Sequence, residues 1–302
     1  MSGGNPPQRR GARLFAALSA RPPEAVVVRG DSEIWQAAQL LDAVDSLASG
    51  LAGTRVLAVL ADNGPAWVIA DLATLRAGIV HLPLPGFFSQ SQLAHALTQT
   101  GADTVLTDQP ARIVDLGLGF AVIGQANGLM RMWRSTAERP LPPTTAKISF
   151  TSGSTGAPRG VCLSAAGLLD TAVAVAGRLA DLAIGRHLAV LPLSLLLENS
   201  AGLHAPLLLG AEICVAGLQT LGWRGMAGFD PVALQQTVVA SGANSLILVP
   251  ELLKMWTLYL AASGQVAASD MRYVAVGGAR VADSNKDGRD TSELQLRQYL
   301  VC

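Results

Sequence analysis

Short apolar runs alternate with amphipathic stretches along most of this chain, and that alternation restricts its fold more than any other feature. Arg55–Ala61 (RVLAVLA) is continuously apolar, the pattern of a strand covered on both faces. Ala25–Val28, Ile79–Leu82, Thr104–Thr107, Ile148–Thr151, Gly160–Leu163, Leu188–Leu191, Glu212–Val215, Ser245–Val249 and Arg272–Val276 read as further strands. Between them Ile34, Ala38, Leu41, Ala48 and Leu51 fall at helical spacing, and Ala66–Ala77, Gln90–Gln99 and Ala165–Ala180 read as helices. Repeated βα units predict an α/β protein with a largely parallel sheet and helices on its faces. Arg139–Thr145 (RPLPPTT), proline-rich and without periodicity, is the clearest linker.

Composition narrows the function classes. The 302 residues hold 22 basic and 22 acidic side chains, so no basic excess exists to neutralise phosphates, and nucleic acid is not an expected partner. Half of the residues are hydrophobic and 15% are charged, which excludes a disordered chain. The length suits roughly two units of about 150 residues. Mean hydropathy of +0.37 raises the question of a membrane span. His187–Leu197 is apolar but short, and the charge-free run Pro231–Pro250 is interrupted by Gln235, Gln236, Thr237, Ser241, Asn244 and Ser245. A spanning helix needs about 20 predominantly apolar residues, so both fit a buried core better. Leu14–Leu18 after Arg9-Arg10 is at the short limit for a signal peptide, and a first surface helix suits it better. Cys162, Cys214 and Cys302 are far apart and form no CxxC pair, which fits a reducing cytoplasm. His81, His95, His187 and His204 form no close pair at ligand spacing, so no metal site is expected from them. The five tryptophans are scattered and read as packing residues.

One segment carries chemistry. Ile148–Gly160 (ISFTSGSTGAPRG) sets Thr151, Ser152, Ser154 and Thr155 among Gly153, Gly156 and Gly160, with Arg159 as a permanent forked cation. Hydroxyls and successive backbone N–H groups between two strand-like runs make an anion cradle able to wrap a polyphosphate. A Ser/Gly surface turn is the bland alternative, and the ten-residue string TSGSTGAPRG favours phosphate. The segment is not a Walker A loop, because position 158 is proline, and it does not fit GxGxxG.

TSGSTGAPRG resembles the signature phosphate loop of the adenylate-forming superfamily, which includes acyl-CoA synthetases, nonribosomal adenylation domains and luciferases. Family members usually end this loop in Pro-Lys-Gly, and Arg159 keeps the charge. Leu75-Arg-Ala-Gly78 with Leu82-Pro83, Leu191-Pro-Leu193, and Tyr273–Ala279 (YVAVGGA) resemble further landmarks in family order. The resemblance covers about 12–282 and implies an incomplete AMP-binding N-terminal domain. That domain would hold two stacked, largely parallel sheet subdomains with flanking helices, roughly 52–182, and 12–51 plus 183–282. It implies ATP as co-substrate, Mg2+, a small carboxylic acid, and coenzyme A as the acyl acceptor. Thr151, Ser152, Gly153, Ser154, Thr155 and Gly156 would then hold the β- and γ-phosphates, with Arg159 as cationic support and Gly160 also among the nucleotide-binding residues. Thr151 and Arg159 would assist catalysis, and Gly277, Gly278 and Ala279 would line the adenine or acyl end. Leu191–Asn199 (LPLSLLLEN) partly resembles a run of long-chain fatty acyl-CoA synthetases, with Leu195 where those carry His. By that resemblance the acid is a fatty acid and Glu198 helps organise the nucleotide site. A helix-start acid favoured by the dipole explains Glu198 equally well. An amino or aryl acid is the alternative substrate.

Relatives continue to a Tyr-Gly-x-Thr-Glu segment, a ribose-binding Asp and a late catalytic Lys, and the resemblance finds none of these here. Of Lys147, Lys254 and Lys286, none stands in that late motif. Residues 283–302 carry seven charges, Asp283, Lys286, Asp287, Arg289, Asp290, Glu293 and Arg297, and read as an atypical polar tail foreign to the family. The resulting expectation is half a site, with little or no acyl-adenylate formed by this chain alone. A non-catalytic nucleotide- or acyl-binding protein is the competing reading, and self-association through uncovered apolar surface is expected alongside it.

Overall fold

The computed structural model describes residues 11–151, 158–225, 228–278 and 299–301. The chain divides into two compact units, Met1–Glu24 with Ala37–Thr171, and Ala25–Gln36 with Ala172–Cys302. Each is built on one seven-stranded sheet with flanking helices.

The first unit opens with helix α1 (Ala12–Ser19) and helix α2 (Ala37–Gly50). Strand β3 (Val56–Leu60), helix α3 (Pro65–Ala77), strand β4 (Val80–Pro83), helix α4 (Gln90–Thr100) and strand β5 (Thr104–Thr107) follow. Every residue of β3 is buried, as a strand covered on both faces must be. Helix α3 starts at Pro65 and stops at Gly78, whose φ of 69° an L side chain would resist. Ser89 and Gln92 form a reciprocal capping box at the start of α4. After the short helix α5 (Pro110–Val114) comes the hairpin β6 (Ala121–Ala126) and β7 (Leu129–Trp133), which alternation of apolar runs did not predict. The unit closes with β8 (Thr145–Thr151) and β9 (Arg159–Ser164). The sheet order is β6-β7-β5-β3-β4-β8-β9, parallel from β5 to β8 and antiparallel at both margins.

The second unit begins with β1 (Val26–Arg29) and β2 (Ile34–Gln36). The helical spacing read from Ile34 therefore applies only from Ala37 onward. Gly30-Asp31-Ser32 turns the chain, and Ile34 and Trp35 pair antiparallel with β1. Helix α6 (Ala165–Leu179) leads out of β9, and strand β10 (Arg186–Leu188), helix α7 (Ala205–Leu208), strand β11 (Glu212–Cys214) and helix α8 (Pro231–Ser241) follow. Strand β12 (Ser245–Leu248), helix α9 (Pro250–Ser263), strand β13 (Tyr273–Val276) and strand β14 (Tyr299–Val301) complete it. The order is β14-β13-β12-β10-β11-β1-β2, parallel except for β2. Its core gathers Leu188, Val190, Leu191, Leu246, Leu248, Trp256 and Val274.

Arg76 of α3 pairs with Asp45 of α2 at 2.5 Å and lies over the Phe15 ring of α1, so both early helices belong to the first unit. Only the β1–β2 excursion joins the second sheet, through β1 and β11. Among the described residues, no helix is long and apolar enough to cross a membrane.

Candidate functional site

Strands β8 and β9 form the stem of the Gly/Ser/Thr segment. Their antiparallel register ends by pairing Thr151 with Arg159, so the first and last polar residues of the sequence motif stand opposite each other. Ser152, Gly153, Ser154, Thr155 and Gly156 lie outside the described residues. Arg159 is exposed and Pro158 is buried. Gly160 is constrained by packing: a Cβ there would come within 3.0 Å of Ile148 Cγ2 and 3.2 Å of Phe150 Cζ on the neighbouring strand. Its lack of a side chain thus seats β9 on β8.

The stem is anchored from the other side by a buried polar cluster. Lys147 of β8 and His81 of β4 are partners in the parallel register. Both reach Asp71 of α3: Lys147 Nζ donates to Asp71 Oδ1 at 2.6 Å, and His81 Nδ1 lies 2.8 Å from the same oxygen. All three side chains are essentially fully buried. The Trp67 ring, one helical turn before Asp71, covers His81 at 5.5 Å between centroids. In the sequence His81 and Lys147 are the sole ionisable residues of β4 and β8, whereas α3 carries Arg76 besides Asp71.

In the second unit, β10, β12 and the turn after β10 converge on Glu198. The chain leaves β10 through Leu191-Pro192-Leu193 and enters a π-helical turn, Glu198–His204. Glu198 is fully buried. One carboxylate oxygen accepts the Leu191 N–H at 3.1 Å, and the other lies 3.2 Å from His187 Nε2. His187 Nδ1 in turn lies 2.8 Å from Ser245 Oγ. Burial holds the Glu198 carboxyl above the usual glutamate range, against the lowering pull of His187 and the Leu191 N–H. A Cβ on Gly202 would overlap the Glu198 carboxylate, so glycine is required there. Both oxygens are thus engaged by protein groups, and they fix the turn 191–198. Of the leucines of the same run, Leu191 and Leu193 are fully buried, Leu195 and Leu197 are half-buried and Leu196 is exposed.

The Gly-Gly turn follows β13. Gly277 N–H donates to Leu248 O at 3.1 Å, continuing the β12–β13 ladder. Gly278 turns the chain at φ 85°, with Val249 Cγ1 and Leu197 Cδ2 at 3.4 and 3.9 Å from the position a Cβ would take. The turn thus lies beside the end of β12 and the 191–198 segment. Ala279 lies outside the described residues, as do positions 279–298 of the tail. Strand β14 adds to β13 in parallel.

A separate groove of about 420 Å3 in the second unit is walled by Arg29, Asp31, Thr220, Gln236 and Thr237. Its charges are already engaged. Asp31 accepts from Gly217 N–H and Thr220 Oγ, and Arg29 pairs with Glu212 at 2.6 Å. Burial and the neighbouring Glu212 push the Cys214 thiol on its wall up to about 11. Among the described residues, no group of three His, Cys, Asp or Glu side chains could hold a metal ion.

Known proteins resemble this chain over most of its length. The family described as AMP-binding enzyme matches residues 15–287. Hybrid PKS-NRPS synthetase pydA from Acremonium sp is 35% identical over 168 residues, which is 50% of this chain and 4% of that protein. A plipastatin synthase from Bacillus subtilis (strain 168) is 23% identical over 291 residues, 91% of this chain and 10% of that protein. The fold is that of ATP-bound MatB from Rhodopseudomonas palustris, with a TM-score of 0.70 at 18% identity, covering 96% of this chain and 59% of that one.

Proposed function

This chain belongs to the AMP-binding enzyme family, and from that premise we propose that it holds ATP and a carboxylic acid for acyl-adenylate formation. In that reaction a carboxylate oxygen attacks the α-phosphorus, and the bond from that phosphorus to the bridging oxygen breaks. Pyrophosphate leaves with the bonding electrons. The chain spans 4% of the pydA synthetase and 59% of MatB. The observation that carries the reading is the β8–β9 register, which sets Thr151 opposite Arg159 across the ends of the Gly/Ser/Thr segment.

Each residue then has a physical task. Backbone N–H groups and hydroxyls of residues 151–156 donate to the β- and γ-phosphates, as consecutive donors do in anion-binding loops. Arg159 adds a charge that cannot be lost near pH 7 and offsets the negative charge gathering on the leaving pyrophosphate. Gly277 and Gly278 keep side chains away from the end of β13, leaving room for a planar base or an acyl group. Glu198 and His187 act one step back, by fixing the turn that faces Gly278.

For the acid, an amino or aryl carboxylate is favoured over a fatty acid. Of the leucines that suggested an acyl chain, Leu191 and Leu193 are buried and Leu197 packs on the core, which leaves Leu195 and Leu196 of that run outside it. Proteins named as peptide synthetases also appear among the relatives. Acyl-sulfamoyl adenosines carrying aminoacyl, aryl or long-chain acyl groups, titrated into the chain with calorimetric detection, test both points. Tightest binding by an aminoacyl or aryl analogue is expected. Tightest binding by the long-chain analogue would overturn the substrate class, and binding by none would overturn the function.

A further inference from the structure

The buried Asp71–His81–Lys147 cluster lies at a particular seam. In the first sheet β9 is the margin, β8 is next to it, and β4 is the first strand of the remaining sheet. The β8–β9 hairpin therefore joins that sheet along β4 and β8, and the register across this seam pairs His81 with Lys147. Side chains of two adjacent strands at one register position share a face of the sheet. Here that face is covered by α3, whose Asp71 accepts from Lys147 at 2.6 Å and lies 2.8 Å from His81 Nδ1 through one oxygen. Three elements are thus bound at one point, four residues before Thr151. An apolar seam of the same size would tolerate small slips, because dispersion contacts are individually weak and non-directional. A buried charged hydrogen bond does not, because lengthening it leaves a desolvated charge.

We propose that Lys147 and Asp71 are positioning residues for phosphate binding: their buried ion pair, with His81, fixes the β8–β9 hairpin against the sheet and so sets where the Gly/Ser/Thr segment presents its donors. The proposal rests on the phosphate-binding role given to that segment above. Its signature is selective. Breaking the pair weakens binding of the triphosphate while leaving the hairpin's own β8–β9 ladder intact.

The test is Mg·ATP binding by the 302-residue chain, measured by calorimetry beside thermal melting. Lys147→Met leaves Asp71 without its cation and is expected to weaken Mg·ATP binding at least about tenfold in protein that remains folded. The double variant Asp71→Asn/Lys147→Met leaves no buried unpaired charge, so it folds even where the single variant does not. It too is expected to bind Mg·ATP at least about fivefold more weakly, because a thioether in place of the ammonium cannot tie β8 to α3. Lys147→Arg keeps charge and donors and is expected to stay within about threefold of the parent. Inorganic tripolyphosphate should lose affinity with Mg·ATP in the single and double variants alike, a correlation that general destabilisation does not produce in folded protein. Folded double variant that binds Mg·ATP as tightly as the parent would overturn this inference alone. Parent protein that binds no Mg·ATP would overturn the reading of the loop, and this inference with it.

Discussion

Replacing Glu198 by Gln isolates the energetics of the second unit's buried cluster. The carboxylate is fully buried and receives the Leu191 N–H at 3.1 Å, with His187 Nε2 at 3.2 Å. Glutamine matches it in shape. Its amide oxygen keeps the Leu191 N–H, and its NH2 donates to His187 Nε2, leaving Nδ1–H for Ser245 Oγ. No hydrogen bond need be lost, so the variant differs mainly in never carrying a charge. Burial raises the Glu198 pKa above its unfolded value, so between the two values the folded state binds more protons than the unfolded state. Stability from such a group is fully present below the unfolded value of about 4.3 and is lost as pH rises through the folded value. Within that window wild type loses about 1.4 kcal/mol per pH unit relative to Glu198→Gln. Urea denaturation of both proteins at half-unit steps from pH 4 to pH 8 measures the difference directly. The expected curve favours the variant increasingly as pH rises, then levels off. A difference that is flat over the whole range would refute the reasoning, because it would mean that burial imposes no net cost on the charge. Glu198→Ala serves as the reference for lost contacts: it leaves two buried groups without their partner beside a cavity, and should lie about 3–5 kcal/mol below Glu198→Gln at every pH, since neither variant carries the carboxyl.

Two further outcomes follow from the backbone and the packing. Gly278→Ala should cost about 1–2 kcal/mol in urea denaturation, because φ is 85° while the space for a methyl group exists; an effect below about 0.3 kcal/mol would contradict the strain argument. Arg134→Ala should cost about 2–4 kcal/mol in the same assay. The buried guanidinium donates to Ala102 O at 2.9 Å and Leu97 O at 2.8 Å and stacks over Phe120, so truncation removes two charged hydrogen bonds and the ring contact, although Leu97 O keeps the Ala102 N–H.

How far the sequence revealed this fold depended on which physical signal each segment carried. Doubly covered strands such as Val56–Leu60 announce themselves by unbroken apolar runs, and capped helices such as Gln90–Thr100 by Ser89, Gln92 and Gly101. The β6–β7 hairpin escaped because β6 is largely exposed at the sheet margin, so no burial pattern marks it. Strand β2 was merged into the following helix because Ile34 and Ala38 happen to share a helical spacing. The Gly/Ser/Thr segment drew a chemical reading because hydroxyls, glycines and a cation fall within one short string. The Asp71–His81–Lys147 cluster drew none, because its members are distant in sequence and meet only in the fold. For Glu198 the sequence left two readings open, a nucleotide-site acid and a helix-start acid, because its partners His187 and the Leu191 N–H are set by tertiary structure.

The central claim is that the segment joining β8 and β9 binds the phosphates of ATP, and calorimetric titration of Mg·ATP into the parent chain and Arg159→Ala tests it most directly. Arg159 is exposed, so its truncation should leave the protein folded. The account predicts saturable binding at one site, weakened about tenfold by Arg159→Ala, equivalent to about 1.4 kcal/mol. Absence of saturable binding, or identical affinities for the two proteins, would contradict it.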